Sequence, residues 1–329
     1  MEFRTVMPPV SYPFRINWKT PILAMGSCFA ANMGSRLQEN KFKVVLNPFG
    51  VVFNPRSLAD GLQRLSQGAR FQREDLWFNG SRWLSFFHHG KFSGSSEAEV
   101  LDGINQAFEA GRAQLQEAKL LLLTVGTAYV WALKKTGDIV ANCHKLPASE
   151  FDRRRMTVEE VVQHLTAALD AVFEINPGVE VLLTVSPVRY VREGLMESQR
   201  SKAVLLLATE AVQGYRNRVH YFPAYELLMD DLRDYRFYAE DMAHPSPLAL
   251  EYIWNYFSDV LLEPSERDRL AGLAKIQRAM QHRPLFPDSL EHQRFRERLL
   301  QQVLDMEQKW PGQDFSKEKT FFTSHTDSL

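Results

Sequence analysis

Asp241-Met242-Ala243-His244, followed by Pro245 and Ser246, sets a carboxylate and an imidazole three positions apart. At that spacing the carboxylate can orient the ring while the ring takes the proton of a hydroxyl nucleophile. Toward the other end of the 329-residue chain, Gly26-Ser27-Cys28-Phe29-Ala30 follows the apolar run Pro21-Ile22-Leu23-Ala24-Met25. Ser27 therefore stands where a strand hands over to a helix, with Gly26 permitting the tight turn and the helix's first amides facing a developing oxyanion. The chemistry suggested is acyl transfer through a serine ester: Ser27 attacks, His244 is the general base and Asp241 orients it. Bland roles exist for the same residues, Ser27 as an N-cap and Asp241 or Ser246 as caps for a helix starting near Pro247. Cys28 beside Cys143-His144 offers a thiolate alternative, but at its helical position Cys28 is expected to point into the core.

These residues need a scaffold that brings them together. Five apolar runs of strand length, 21–25, 42–46, 120–125, 180–185 and 219–222, end at turn residues and alternate with helix-like stretches at 29–40, 97–117, 157–174 and 196–216. Continuous apolar strands separated by helices indicate a doubly wound parallel sheet buried on both faces, with ligands at the carboxyl ends of its strands. Ser27, Gly50, Gly126 and Ser186 each follow a strand, so they would share that edge. Two hairpins decorate the sheet: one turns at Asn79-Gly80, and the other pairs Tyr129–Ala132 with Ile139–Ala141 and returns Asn142-Cys143-His144 toward Ser27. The aromatic residues of the hairpins are expected mainly to pack.

The blocks Gly26-Ser27-Cys28-Phe29-Ala30, Asn47-Pro48-Phe49-Gly50, Gly126-Thr127-Ala128, Asn142-Cys143-His144-Lys145 and Ser186-Pro187-Val188-Arg189 resemble the GSCFA domain family over roughly residues 20–260, with His282-Arg283-Pro284 also similar. That family is similar to the SGNH, or GDSL-like, hydrolases. The resemblance implies a three-layer α/β/α fold with a mainly parallel five-stranded sheet, Ser27 as nucleophile, and Asp241 and His244 as its partners. It also implies an oxyanion hole built from the amides of Ser27 and Gly50. The third block departs from the related G-x-N-D pattern, reading Gly126-Thr127-Ala128-Tyr129, so the expected Asn is missing. Asn142 is the substitute donor proposed from the hairpin, with Thr127 the weaker option. His89, before Phe92-Ser93, resembles a substrate-contacting histidine of the family. His144 is expected to line the site, Thr127 to touch substrate, and Arg189 to bind an anionic substrate group or pair with a structural carboxylate.

A net charge of −1 with 45% hydrophobic and 24% charged residues recommends neither nucleic acid nor an anionic membrane as partner. Two cysteines without C-x-x-C spacing, and a His88-His89 pair whose members are expected to point to opposite faces of a strand, suggest no metal site. Neither G-x-x-x-x-G-K nor G-x-G-x-x-G occurs, so no cofactor is expected. The N-terminus makes a poor signal peptide and no stretch is apolar enough to span a bilayer, so the expected location is cytoplasmic. Residues 1–262 are expected to form the catalytic domain and 263–329 a helical extension packed on it, with Leu299, Val303 and Met306 as its docking face and 314–329 disordered. The expected function is an O-acyl esterase acting on a small or carbohydrate ester; the alternatives are an acyltransferase using the same triad and a catalytically silent binding protein.

Overall fold

The computed structural model describes residues 4–287 and 289–323. Its centre is a parallel sheet. In chain order β1 (Ile22–Gly26) leads into α1 (Cys28–Glu39) and β2 (Val44–Leu46), and α2 (Pro55–Gln67) precedes the small hairpin of β3 (Trp77–Phe78) and β4 (Trp83–Leu84). α3 (Glu97–Glu117) then feeds β5 (Leu120–Val125), from which β6 (Tyr129–Leu133), β7 (Ile139–Val140) and β8 (Phe151–Arg155) branch off. α4 (Val158–Ile175), β9 (Glu180–Val185), α5 (Leu195–Val212), β10 (Val219–Tyr221), the short α6 (Ala224–Glu226) and α7 (Pro247–Leu261) complete the core. The five-stranded sheet has the order β10-β9-β5-β1-β2, every pair parallel. It matches the expected strands almost residue for residue.

Alternation along these strands makes the layers. Leu23, Met25, Leu121, Leu123, Val181 and Leu183 face one core with Leu58, Phe108, Leu165 and Leu205 of the helices, while Ile22, Ala24, Leu120, Leu122 and Leu182 face the other with Phe29, Met33, Ile253 and Phe257. A strand buried on both sides must be apolar at every position, which is why β5 reads Leu-Leu-Leu-Leu-Thr-Val. Truncating one of these leucines to Ala would cost roughly 2–5 kcal/mol.

Three local expectations change. The unexpected α2 is started by Asn54, whose side chain accepts from Ser57 N–H at 2.8 Å, by Pro55 in its first turn, and is stopped by Gly68 at φ +71°. The second hairpin is a three-stranded sheet, because the polar Phe151–Arg155 strand pairs with the free edge of β6. In the first hairpin, Asn79 N–H donates to Arg82 O at 3.0 Å and its side-chain oxygen accepts from Ser81 and Arg82. The tip is thus Gly80-Ser81, one residue beyond the Asn79-Gly80 pair.

The extension consists of α8 (Glu266–Gln281), α9 (Leu290–Lys309) and α10 (Ser316–Thr323). Leu273, Ile276, Leu299, Val303, Met306, Phe315 and Phe322 form its own apolar cluster. Arg269, wholly buried, donates to Glu266 at 2.6 Å and to Asn40 O at 2.8 Å, fastening the extension to the end of α1. Disorder was expected from residue 314 onward; instead 316–323 is helical and docked through Phe322, whereas 324–329 lies outside the described residues. Among the described residues no helix is long and apolar enough to cross a membrane.

Candidate functional site

Gly26 ends β1 in a conformation that only glycine accepts comfortably. Its φ is +138°, and a Cβ there would lie 2.2 Å from Thr124 O. The next residue, Ser27, is extended and caps α1, its Oγ accepting from Phe29 N–H at 3.2 Å, and it is only 4% exposed. Asn47, at φ +47°, folds the segment after β2 over this turn: its Oδ1 accepts from Gly26 N–H at 2.8 Å, and Val52 N–H donates to Gly26 O at 3.0 Å. Gly126 comes so close that a Cβ on it would meet Ser27 Cβ at 3.4 Å.

The expected Asp–His pair lies in a loop bonded to the segment that follows β9. His244 Nδ1 is 2.6 Å from Asp241 Oδ2, and Asp241 Oδ1 accepts from the amides of Ala243 and His244 at 2.9 Å each. The backbone N–H of His244, then its ring, then the amide of Ala243 hold the Asp241 carboxyl far below the usual carboxylate range. Both side chains are open to solvent. Ser246 does cap α7, accepting from Ala249 N–H at 3.3 Å, so capping and the Asp–His pair coexist in one loop.

That loop is clamped by Arg189, which was expected to meet a substrate anion or a carboxylate. Instead its amide donates to Ala243 O at 2.9 Å, its guanidinium donates to Met242 O at 3.2 Å, and it lies 5.3 Å from the ring of Tyr238. Thr127 also departs from its expected role. It is 1% exposed, and its hydroxyl faces α5, 2.9 Å from Ser201 Oγ, while accepting from Tyr129 N–H at 3.2 Å. Cys28 is exposed rather than in the core, because it is the first residue of α1 and its neighbour Phe29 takes the inward position. Desolvation by its surroundings pushes the Cys28 thiol up, and burial does the same to Cys143. Neither is a poised thiolate.

The expected backbone donors are engaged. Ser27 N–H extends the sheet ladder to Thr124 O at 3.2 Å, and Gly50 N–H closes its own turn onto Asn47 O at 2.7 Å. Asn142 differs. Its Oδ1 accepts from His144 N–H at 2.8 Å, whereas its amide nitrogen has no hydrogen bond among the described residues. His144, at φ +48°, has Nε2 2.8 Å from Ser85 O, so that nitrogen carries the proton; burial, more than the charge of His89, lowers its pKa. His89 rests directly on Gly50, with its amide donating to Phe49 O at 2.9 Å and its Nδ1 accepting from Lys91 N–H at 3.2 Å. Residues 47–50, 85–89 and 142–144 therefore form one wall beside the Ser27 turn.

The adjacent His88 points inward instead. It is fully buried among Phe49, Phe71 and Phe92, with Nδ1 3.0 Å from Ser85 Oγ, and burial together with Arg64 pushes its pKa down to about 3. Among the described residues, no three His, Cys, Asp or Glu side chains are grouped to hold a metal. Most hairpin aromatics pack: Trp77 stacks on Phe86, and Tyr129 lies under Arg153 while its hydroxyl donates to Glu197.

Lys202 escaped the sequence reading. It is 2% exposed on α5, where burial pushes its ammonium down to about 7. A signal existed: Lys202 falls in register with Ser198, Leu205 and Thr209 on the inward stripe of the helix.

Fold and edge together define a three-layer α/β/α protein with a Gly-Ser turn after its first strand and an Asp-x-x-His loop beside the ends of its central strands. The chain belongs to the GSCFA family: the family model matches residues 21–257, and the model of the GSCFA C-terminal domain matches residues 273–327. Comparison with curated proteins finds no match.

Proposed function

We propose that this protein is a serine hydrolase, an O-acyl esterase that works through an acyl-enzyme on Ser27. The observation that carries the reading is the preformed Asp241–His244 pair at 2.6 Å, in a loop bonded to the segment that follows β9, while Ser27 caps α1 after β1 of the same parallel sheet. His244 Nε2 accepts the Ser27 proton as Oγ forms a bond to the ester carbonyl carbon; the carbonyl electrons move onto oxygen. Collapse expels the alkoxide, which takes the proton from His244. Water then repeats the sequence and frees the acid. The oxyanion would be met by Asn142 Nδ2 and by the positive end of the α1 dipole. The solvent-open Asp–His loop suits an ester of a bulky alcohol such as a sugar.

A second reading, a catalytically silent binding protein, has its own support. No hydrogen bond joins Ser27 Oγ to His244 among the described residues, and the amides of Ser27 and Gly50 are engaged. Catalytic hydrogen bonds commonly tighten only when substrate binds, which favours the enzyme. Purified protein and its Ser27→Ala and His244→Ala variants, assayed on acetylated sugars and short aryl esters, separate the two. The esterase reading expects turnover that both variants abolish; no turnover of any ester, or turnover retained by Ser27→Ala, contradicts it.

A further inference from the structure

The parallel ladder between β5 and β9 stops at a definable place. Ser186 N–H gives the last rung to Val125 O at 2.8 Å; beyond it Gly126 N–H turns away to Phe53 O at 2.7 Å, and the two chains part. Two carbonyls, those of Gly126 and Ser186, are left at the fork. Lys202 reaches both from α5, its Nζ donating to each at 2.6 Å. An ammonium is a costly group to bury, and Lys202 forms no ion pair among the described residues, so methionine or leucine at this position would suit packing alone better.

The two carbonyls belong to segments with different tasks. Gly126 abuts Ser27, and the chain running from Ser186 to Arg189 clamps Met242 and Ala243 in the loop that carries His244. We propose that Lys202 is a positioning residue that sets Ser27 and the His244 loop in register by tying together the segments that follow β5 and β9. The inference rests on Ser27 and His244 being nucleophile and base.

The test is Lys202→Met, which keeps the stem and removes the donors, assayed for ester turnover and for amide hydrogen exchange. The expected result is a folded variant whose kcat falls roughly 10- to 100-fold with KM little changed, since a misplaced pair loses rate rather than affinity. Amides of 126–128 and 242–246 should exchange faster while those of β1 and β9 do not. A folded variant with wild-type kcat and unchanged exchange overturns the proposal, as does a uniform loss of protection with kcat intact. Should Lys202→Met not fold, Lys202→Gln, whose shorter side chain cannot span both carbonyls, takes its place; wild-type kcat and unchanged exchange at 126–128 and 242–246 would then overturn it. If the wild type turns over no ester, faster exchange in Lys202→Met at both segments still supports the tie while the esterase reading fails, and unchanged exchange refutes the tie.

Discussion

A Cβ placed on Gly50 would lie 2.3 Å from His89 Cβ, so the segment after β2 and the hairpin segment carrying His89 are in van der Waals contact through a missing side chain. Gly50 also sits at φ +76°, where a Cβ strains the backbone. Gly50→Ala should therefore cost about 2–4 kcal/mol, a strain term and an overpacking term together. Gly80→Ala is the control: φ is +92° but nothing lies within 4 Å, so only the smaller backbone cost, about 1–2 kcal/mol, should appear. Urea midpoints of the two variants decide this, and equal losses would remove the special role of the Gly50–His89 contact.

His88 should make the fold acid-sensitive. Its folded pKa, about 3, lies below the unfolded value of 6.5, so between those values the unfolded chain binds the extra proton. Stability from this group is complete above pH 6.5 and falls as pH drops toward 3, by roughly 1.4 kcal/mol per pH unit. His88→Phe should flatten that slope in urea titrations across the window. An unchanged slope would mean that other groups control acid unfolding.

Asn142 is tested as oxyanion donor by two substitutions. Asn142→Ala should lower kcat by about 10²–10³-fold. Because Oδ1 also holds the turn at His144, Asn142→Asp, which keeps that acceptor and loses the donor, should lose at least as much. Activity near wild type in Asn142→Asp would remove Asn142 from the oxyanion site.

Asp241 stays ionised throughout the range in which esterases are assayed, because three hydrogen bonds hold its carboxyl low. An acid limb in kcat/KM therefore does not report Asp241. Asp241→Asn, which loses the charge that stabilises an imidazolium, should reduce kcat on the order of 10⁴-fold. A loss below about tenfold would leave Asp241 only its structural role in the loop.

The sheet was legible because burial on both faces demands unbroken apolar runs, and β5 and β9 have them. The Asp241–His244 geometry was legible too, since three residues of a tight loop leave little freedom. β8 was not: four of the five residues of Phe151–Arg155 are charged, and only a free edge on β6 makes them a strand. Thr127 and Arg189 show a different limit. Their segments were placed correctly at the sheet edge, but Thr127 turns its hydroxyl to Ser201 and Arg189 its guanidinium to Met242 O, partners set by tertiary packing. α2 could have been found from Asn54-Pro55 and Gly68, which mark its two ends.

The direct test of the central claim is covalent labelling by a serine-reactive alkyl phosphonate, with the adduct located by peptide mass spectrometry. Ser27 should carry the label. His244→Ala should slow labelling by orders of magnitude, and Cys28→Ser should label like the wild type because that thiol is exposed but not activated. Ser27→Ala should not label yet still fold, losing about 0.5–2 kcal/mol with the N-cap. An unlabelled wild type, or an adduct on any residue other than Ser27, would contradict the assignment.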